Sequence, residues 1–192
     1  MMLTIYIDFK SPASYLAFEP TLLLAEKTGI PLHWRPFSSR PFFVPELQSD
    51  ESVGERHRRV RAIAQRNMHL HYANVQGQQM KFADQPAESE LALAALATMD
   101  GDPVPYMRTA FAAYWHDQAN LNDENCVADM LRANGKDVPD FDTACDRLAA
   151  IRMEARESGV FEAPAYHIAD QLFLGREHLP WITALITAEQ GA

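Results

Sequence analysis

"LTIYIDFKSPASYLAF", residues Leu3 to Phe18, changes period part-way through. Leu3-Thr4-Ile5-Tyr6-Ile7 alternates and is rich in β-branched and aromatic side chains, which predicts a strand over residues 3–9. From Pro12 to Thr28, Tyr15, Phe18, Leu22 and Ala25 recur at steps of three and four, the spacing of one helical face. Ser11 and Pro12 stand at the change. A serine at the N-cap and a proline at the first helical position are the ordinary chemistry of a helix start. Gly29 fits a left-handed stop, and Pro20 predicts a kink because an interior proline removes one backbone hydrogen bond. Ile30-Pro31-Leu32-His33-Trp34-Arg35 reads as a second strand. Strand, helix and strand within about 35 residues form a βαβ unit, which implies parallel pairing.

The middle of the chain reads as helices. Periodicity predicts them over residues 55–67, 88–99, 104–117, 123–133 and 140–158, the fourth capped by Asn122 and the last ended by Gly159. The pattern then flips again. Ala165–Ile168 and Gln171–Leu174 are short strands around Ala169-Asp170, a hairpin, and a last helix is predicted over residues 179–188. The order βαβ, helices, ββα is most simply an α/β core split by a helical insertion. There is no internal repeat.

Composition narrows the function classes. The chain has 192 residues, 47% hydrophobic and 22% charged, which is that of an ordinary globular protein. A formal net charge of −9 argues against non-specific nucleic-acid binding, which needs an excess of Lys and Arg. No apolar run approaches the ~18 residues of a membrane span. The N-terminus lacks the pattern of a signal peptide, so the expected location is the cytoplasm.

Few side chains suggest chemistry unaided. Ser11 is not in a G-x-S-x-G hydrolase setting. His69-Leu70-His71 places two imidazoles on one side of an extended segment, but no acidic or thiol cluster has metal-like spacing, and no metal is expected. Cys126 and Cys145 are too far apart for C-x-x-C and read as buried, inert thiols. Tyr114 and Trp115 read as core of the helical block. Glu55–Arg61 is the one strongly basic stretch. It is either a solvated face with local ion pairs or a source of arginines for a cleft. Lys10 is either a solvated lysine or an ammonium beside the site.

The order strand–S-P-x-S-Y-L-A, helical block, then "GVFEAPAYHIADQLFLGREHL" (Gly159–Leu179) resembles the DsbA-like branch of the thioredoxin superfamily. More narrowly, it resembles the group of 2-hydroxychromene-2-carboxylate isomerases and kappa-class glutathione transferases. The resemblance implies a thioredoxin-like domain over residues 1–45 and 156–192, with an all-helical domain inserted over 46–155. Redox relatives carry C-x-x-C at the helix start; the matching positions here are Ser11-Pro12-Ala13-Ser14. Without a thiol there, dithiol–disulfide exchange cannot run at that site.

What the serine-bearing relatives do gives the remaining expectations. Glutathione is the implied cofactor. Ser11 would be the catalytic residue, donating to its sulfur, with Pro12 and Ala13 beside it in the helix start. Ala163-Pro164 would be the cis-proline pair, Ala163 offering its backbone to the glutathione peptide. Gly175-Arg176-Glu177-His178 stands where relatives commonly have G-N-D-R or G-S-D-R. By position Arg176 and Glu177 would hold the γ-glutamyl end. The implied function is isomerisation of conjugated aromatic carboxylates, with the glutathione thiolate as a reversible nucleophile. A kappa-like transferase and a thioredoxin-fold binding module without catalysis are the alternatives. A small aromatic molecule is the implied partner, and a homodimer the implied assembly.

Overall fold

In the computed structural model, which describes residues 1–84 and 86–190, the N-terminal segment builds the centre of a sheet. Strand β1 (Leu3–Ile7) pairs in parallel with β2 (Leu32–Pro36), Ile5 opposite Trp34. Helix α1 (Pro12–Thr28) makes the crossover. β1 also pairs antiparallel with β3 (Ala165–Ile168), which turns into β4 (Gln171–Leu174), giving the order β2-β1-β3-β4. The hairpin turn residues Ala169 and Asp170 have φ of 48° and 59°, the two left-handed positions that a tight two-residue turn requires. A 3₁₀ turn (Arg176–His178) leads into the last helix, α7 (Leu179–Gln190).

Between β2 and β3 lie α2 (Val53–Val75), α3 (Glu90–Ala97), α4 (Val104–Trp115), α5 (Glu124–Ala133) and α6 (Phe141–Glu157). The inserted helices and the sheet share one core. Leu3, Ile5 and Ile7 of β1 belong to the same buried cluster as Leu93, Met107, Phe111 and Leu148. Phe111 of α4 sets its ring 5.1 Å from Phe9, 5.7 Å from Tyr15 and 5.2 Å from Phe18. Trp115, at the end of α4, donates its indole N–H to the Phe9 carbonyl at 2.9 Å.

Three local expectations are corrected. Helix α2 runs to Val75 instead of ending at Asn67, since no glycine or proline interrupts it before Gly77. His69 and His71 are therefore helical, and two residues of a 3.6-residue turn diverge by about 200°. They do not share a side. The cap of α5 is Asp123, whose carboxylate accepts from Cys126 N at 2.8 Å; Asn122 instead accepts from Leu91 N at 3.2 Å. Pro20 lies inside helix α1, as the sequence reading places it. The carbonyl that Pro20 cannot bond is that of Leu16, and Gln76 at the end of α2 donates its side-chain amide there at 3.3 Å. The cysteines are half-buried and free, with burial raising both thiol pKa values.

Candidate functional site

The turn from β1 to α1 is organised by Asp8, which is fully buried. One carboxylate oxygen accepts from Lys10 N (3.2 Å) and Ser89 Oγ (2.7 Å); the other accepts from Ser39 N and Ser39 Oγ, both at 2.7 Å. The Lys10 ammonium, its side chain also fully buried, sits 3.1 Å from Asp8, 3.1 Å from Glu88 and 3.1 Å from Ser38 Oγ. Lys10 is thus neither a solvated lysine nor a free cation for a ligand. Two carboxylates neutralise it, and it ties the helix start to the loops after β2 and before α3. Burial and the nearby Asp8 and Glu88 carboxylates push the Tyr114 phenol above its ordinary pKa, so it stays a donor, bonding to Ala87 O at 2.9 Å.

On this base stands Ser11, the N-cap of α1, with φ −80° and ψ 118°. Its Oγ accepts from Ser14 N at 3.2 Å and donates to Ala163 O at 2.8 Å across the sheet ends. The Ala163–Pro164 peptide bond is cis. Ser14, the last position of the S-P-A-S stretch, turns inward; its hydroxyl accepts from Asp8 N at 3.3 Å. Pro12 has no N–H and that of Ser14 is taken, so the remaining first-turn donor is Ala13.

Two cavities meet at this point. The larger, about 830 Å³, includes Ser11, Pro12, Ala13 and Ala163 in its wall together with Phe37, Phe42, Phe161, Arg40, Arg152 and Arg156. Its neighbour, about 570 Å³, is walled by Ala13, Ala163, Pro164, Tyr72, Arg176 and Glu177. Ala13, His69, Glu162 and Ala163 belong to both. The structure therefore brings together all the residues singled out by the resemblance: Ser11, Pro12, Ala13, Ala163, Pro164, Arg176 and Glu177. A cavity of about 560 Å³ lies elsewhere, against β2 and α6, and touches none of them.

In the second cavity Arg176 lies over the Tyr72 ring, its guanidinium carbon 4.0 Å from the centroid. Gly175 has φ +88°, and a Cβ there would overlap the Glu177 carboxylate, which folds back against the backbone. The positive φ is what requires glycine; the Glu177 carboxylate could swing away from a Cβ.

The basic stretch supplies none of the cleft arginines. Arg59 makes a two-pronged pair with Glu51, at 3.0 and 2.6 Å, and none of Arg56, Arg58, Arg59 and Arg61 lines either cavity. The cleft arginines are Arg40, Arg152 and Arg156. The last two lie four apart on α6, a helical spacing that would have shown a common face. Arg152 pairs with Glu90 at 3.4 Å, whereas Arg40 and Arg156 have no ion-pair partner among the described residues. The sequence pattern offers His69 only as a metal ligand; its place in both walls follows from the extension of α2 past Asn67. Among the described residues no group of His, Cys, Asp and Glu could hold a metal ion, and no helix is long and apolar enough to cross a membrane.

Sheet order, the capped crossover helix and the insertion between β2 and β3 define a thioredoxin-like α/β protein. Residues 2–186 match the model of the DSBA-like thioredoxin domain, and the chain belongs to that family. Among solved structures it is similar to a 2-hydroxychromene-2-carboxylate isomerase, with 20% identity and a TM-score of 0.77, covering 98% of this chain and 95% of the other. A probable DsbA oxidoreductase from Streptomyces coelicolor gives 17% identity, a TM-score of 0.73 and coverage of 100% and 90%. The cytosolic disulfide reductase DsbM from Pseudomonas aeruginosa, solved with GSH, gives 16% identity, a TM-score of 0.60 and full coverage of both chains. At these identities the likeness speaks for the fold. No curated protein sequence matches the chain.

Proposed function

We propose that the chain is a glutathione-dependent isomerase of conjugated aromatic carboxylates, acting in a cytoplasm that keeps glutathione reduced. The observation that carries this reading is the Ser11 hydroxyl, set in a cleft wall at the N-terminus of a 17-residue helix with no cysteine among residues 11–14. A helix start favours an anion, and a free thiol near pKa 8.5 loses about one to several units in such a place. Glutathione bound there would supply a thiolate that adds to a conjugated carbon and is later expelled unchanged.

The chain's own groups fit that tripeptide. Ser11 now gives its hydrogen to Ala163 O. A thiolate within reach is a charged acceptor, and charge-assisted bonds are roughly twice as strong as neutral ones. The hydroxyl hydrogen would turn to the sulfur, leaving the Ala163 carbonyl to accept a peptide N–H as in strand addition. The Glu177 carboxylate suits the γ-glutamyl ammonium and Arg176 its carboxylate. On the other side Phe37, Phe42 and Phe161 offer apolar faces, and Phe161 keeps 69% of its surface exposed. Arg40 and Arg156, without acidic partners among the described residues, suit a substrate carboxylate.

One observation favours a second reading. Arg176 is already stacked on Tyr72, and His178 stands where relatives have arginine, which suits a binding module that has lost the chemistry. Turnover separates the two. Purified protein with 2-hydroxychromene-2-carboxylate should isomerise it only when glutathione is added, with no net loss of thiol. A stable conjugate would instead identify a kappa-like transferase. An absence of glutathione binding at millimolar concentration would contradict both enzymatic readings.

A further inference from the structure

His69 is the side chain whose environment the proposed chemistry leaves unexplained. It lies in the next-to-last turn of α2 at the junction of the two cavities, in the wall of each beside Ala13 and Ala163. The ring is held edge-on to Phe42, centroids 5.8 Å apart and planes at 90°. Nδ1 is shut off from solvent and has no hydrogen-bond partner. No hydrogen bond to the His69 ring is found among the described residues.

A neutral imidazole has one N–H and one lone pair to distribute. Buried orphan N–H groups are rarer than under-satisfied acceptors, so the proton belongs on Nε2, where a partner can reach it. The charge state agrees: burial, then the positive charge of Arg176, lower the His69 pKa to about 4. Glu88, Glu162 and Glu177 also line the cleft, as do Arg40, Arg152 and Arg156, but burial is the larger cause. At neutral pH the ring is an uncharged donor with a fixed tautomer. A cation would attract any anion; a neutral N–H selects a carbonyl or carboxylate oxygen by direction.

We infer that His69 donates its Nε2–H to the ketone oxygen of an aromatic 2-oxo acid bound in the Phe- and Arg-lined cavity, a role that rests on the aromatic-carboxylate reading above. Phe42 packs edge-on against the ring, and Phe42, His69 and Arg156 line that cavity together, Arg156 for the acid's carboxylate. The bond needs no proton transfer. It stabilises negative charge on that oxygen when the conjugated chain is attacked, and it is restored to its starting strength when the nucleophile leaves.

The test uses benzylidenepyruvate as the probe, without glutathione, on the full chain. In protein with ¹⁵N-labelled histidine, the free His69 ring should show the neutral Nε2–H pattern at pH 7, and the probe should shift its Nε2 resonance. His69→Phe should weaken the probe about tenfold, the size of one lost hydrogen bond. His69→Gln, which keeps a donor, should recover most of the loss. Cinnamate, which has the carboxylate but no ketone, should bind both variants as it binds wild type. The inference is overturned if wild type does not bind the probe, if the resonance stays still, or if the loss in His69→Phe falls on glutathione instead. Probe binding through His69 in a protein that ignores glutathione would support the inference while removing the isomerase reading.

Discussion

Lys10 and Asp8 show how much of a site can be scaffold. Lys10 precedes the candidate catalytic serine, and its ammonium is enclosed by Asp8, Glu88 and the Ser38 hydroxyl. Its effect on chemistry is indirect: it fixes the turn that sets the Ser11 cap. Removing one member of a buried pair is costly because the other charge stays behind, about 3–5 kcal/mol. Lys10→Met should therefore lower the unfolding free energy by about that amount, measured by urea denaturation. Asp8→Asn combined with Lys10→Met should recover part of it, since the double change removes both charges. If Lys10→Met is neutral, the ion pair is not the fastening it is taken to be here.

At the scale of elements, the sequence made the helix start readable. Ser11-Pro12 and Gly29 bound α1 by local chemistry alone, and the structure places both ends there. Pro20 is legible as a missing bond but not as a bond remade, because the remedy comes from Gln76, sixty residues along the chain from the Leu16 carbonyl it satisfies. The same holds for α2. Its first half shows in the periodicity over residues 55–67, while the continuation through His69 carries a mixed pattern with only Ala62 and Ala73 buried. A weakly amphipathic helix is hard to delimit from periodicity. Gln76→Leu should leave the Leu16 carbonyl without its partner and cost about 1 kcal/mol, read as a fall of a few degrees in Tm. In a Gln76→Leu, Pro20→Ala double variant the helix bonds that carbonyl itself, and the penalty should vanish. An equal penalty in both backgrounds would mean that Gln76 acts elsewhere.

On the scale of the whole molecule, the cleft exists only because the insertion folds back over the sheet. Ser11, Ala163 and Glu177 come from the sheet portion; His69, Arg152 and Arg156 come from inserted helices. A resemblance carried by the chain ends could specify the first set, since its motifs lie there. The second set was out of reach of local reading, because which face of α6 meets the cleft depends on packing against α3 and β2. The shared core around Phe111 fixes that packing. The central claim remains at Ser11, and the absorbance of bound glutathione near 240 nm, followed from pH 5 to 9, tests it most directly. The account predicts thiolate absorbance at neutral pH in wild type, and a bound-thiol pKa shifted upward by Ser11→Ala toward about 8.5. Thiolate absorbance that is absent from wild type, or unchanged in Ser11→Ala, would contradict it and leave Ser11 as a helix cap alone.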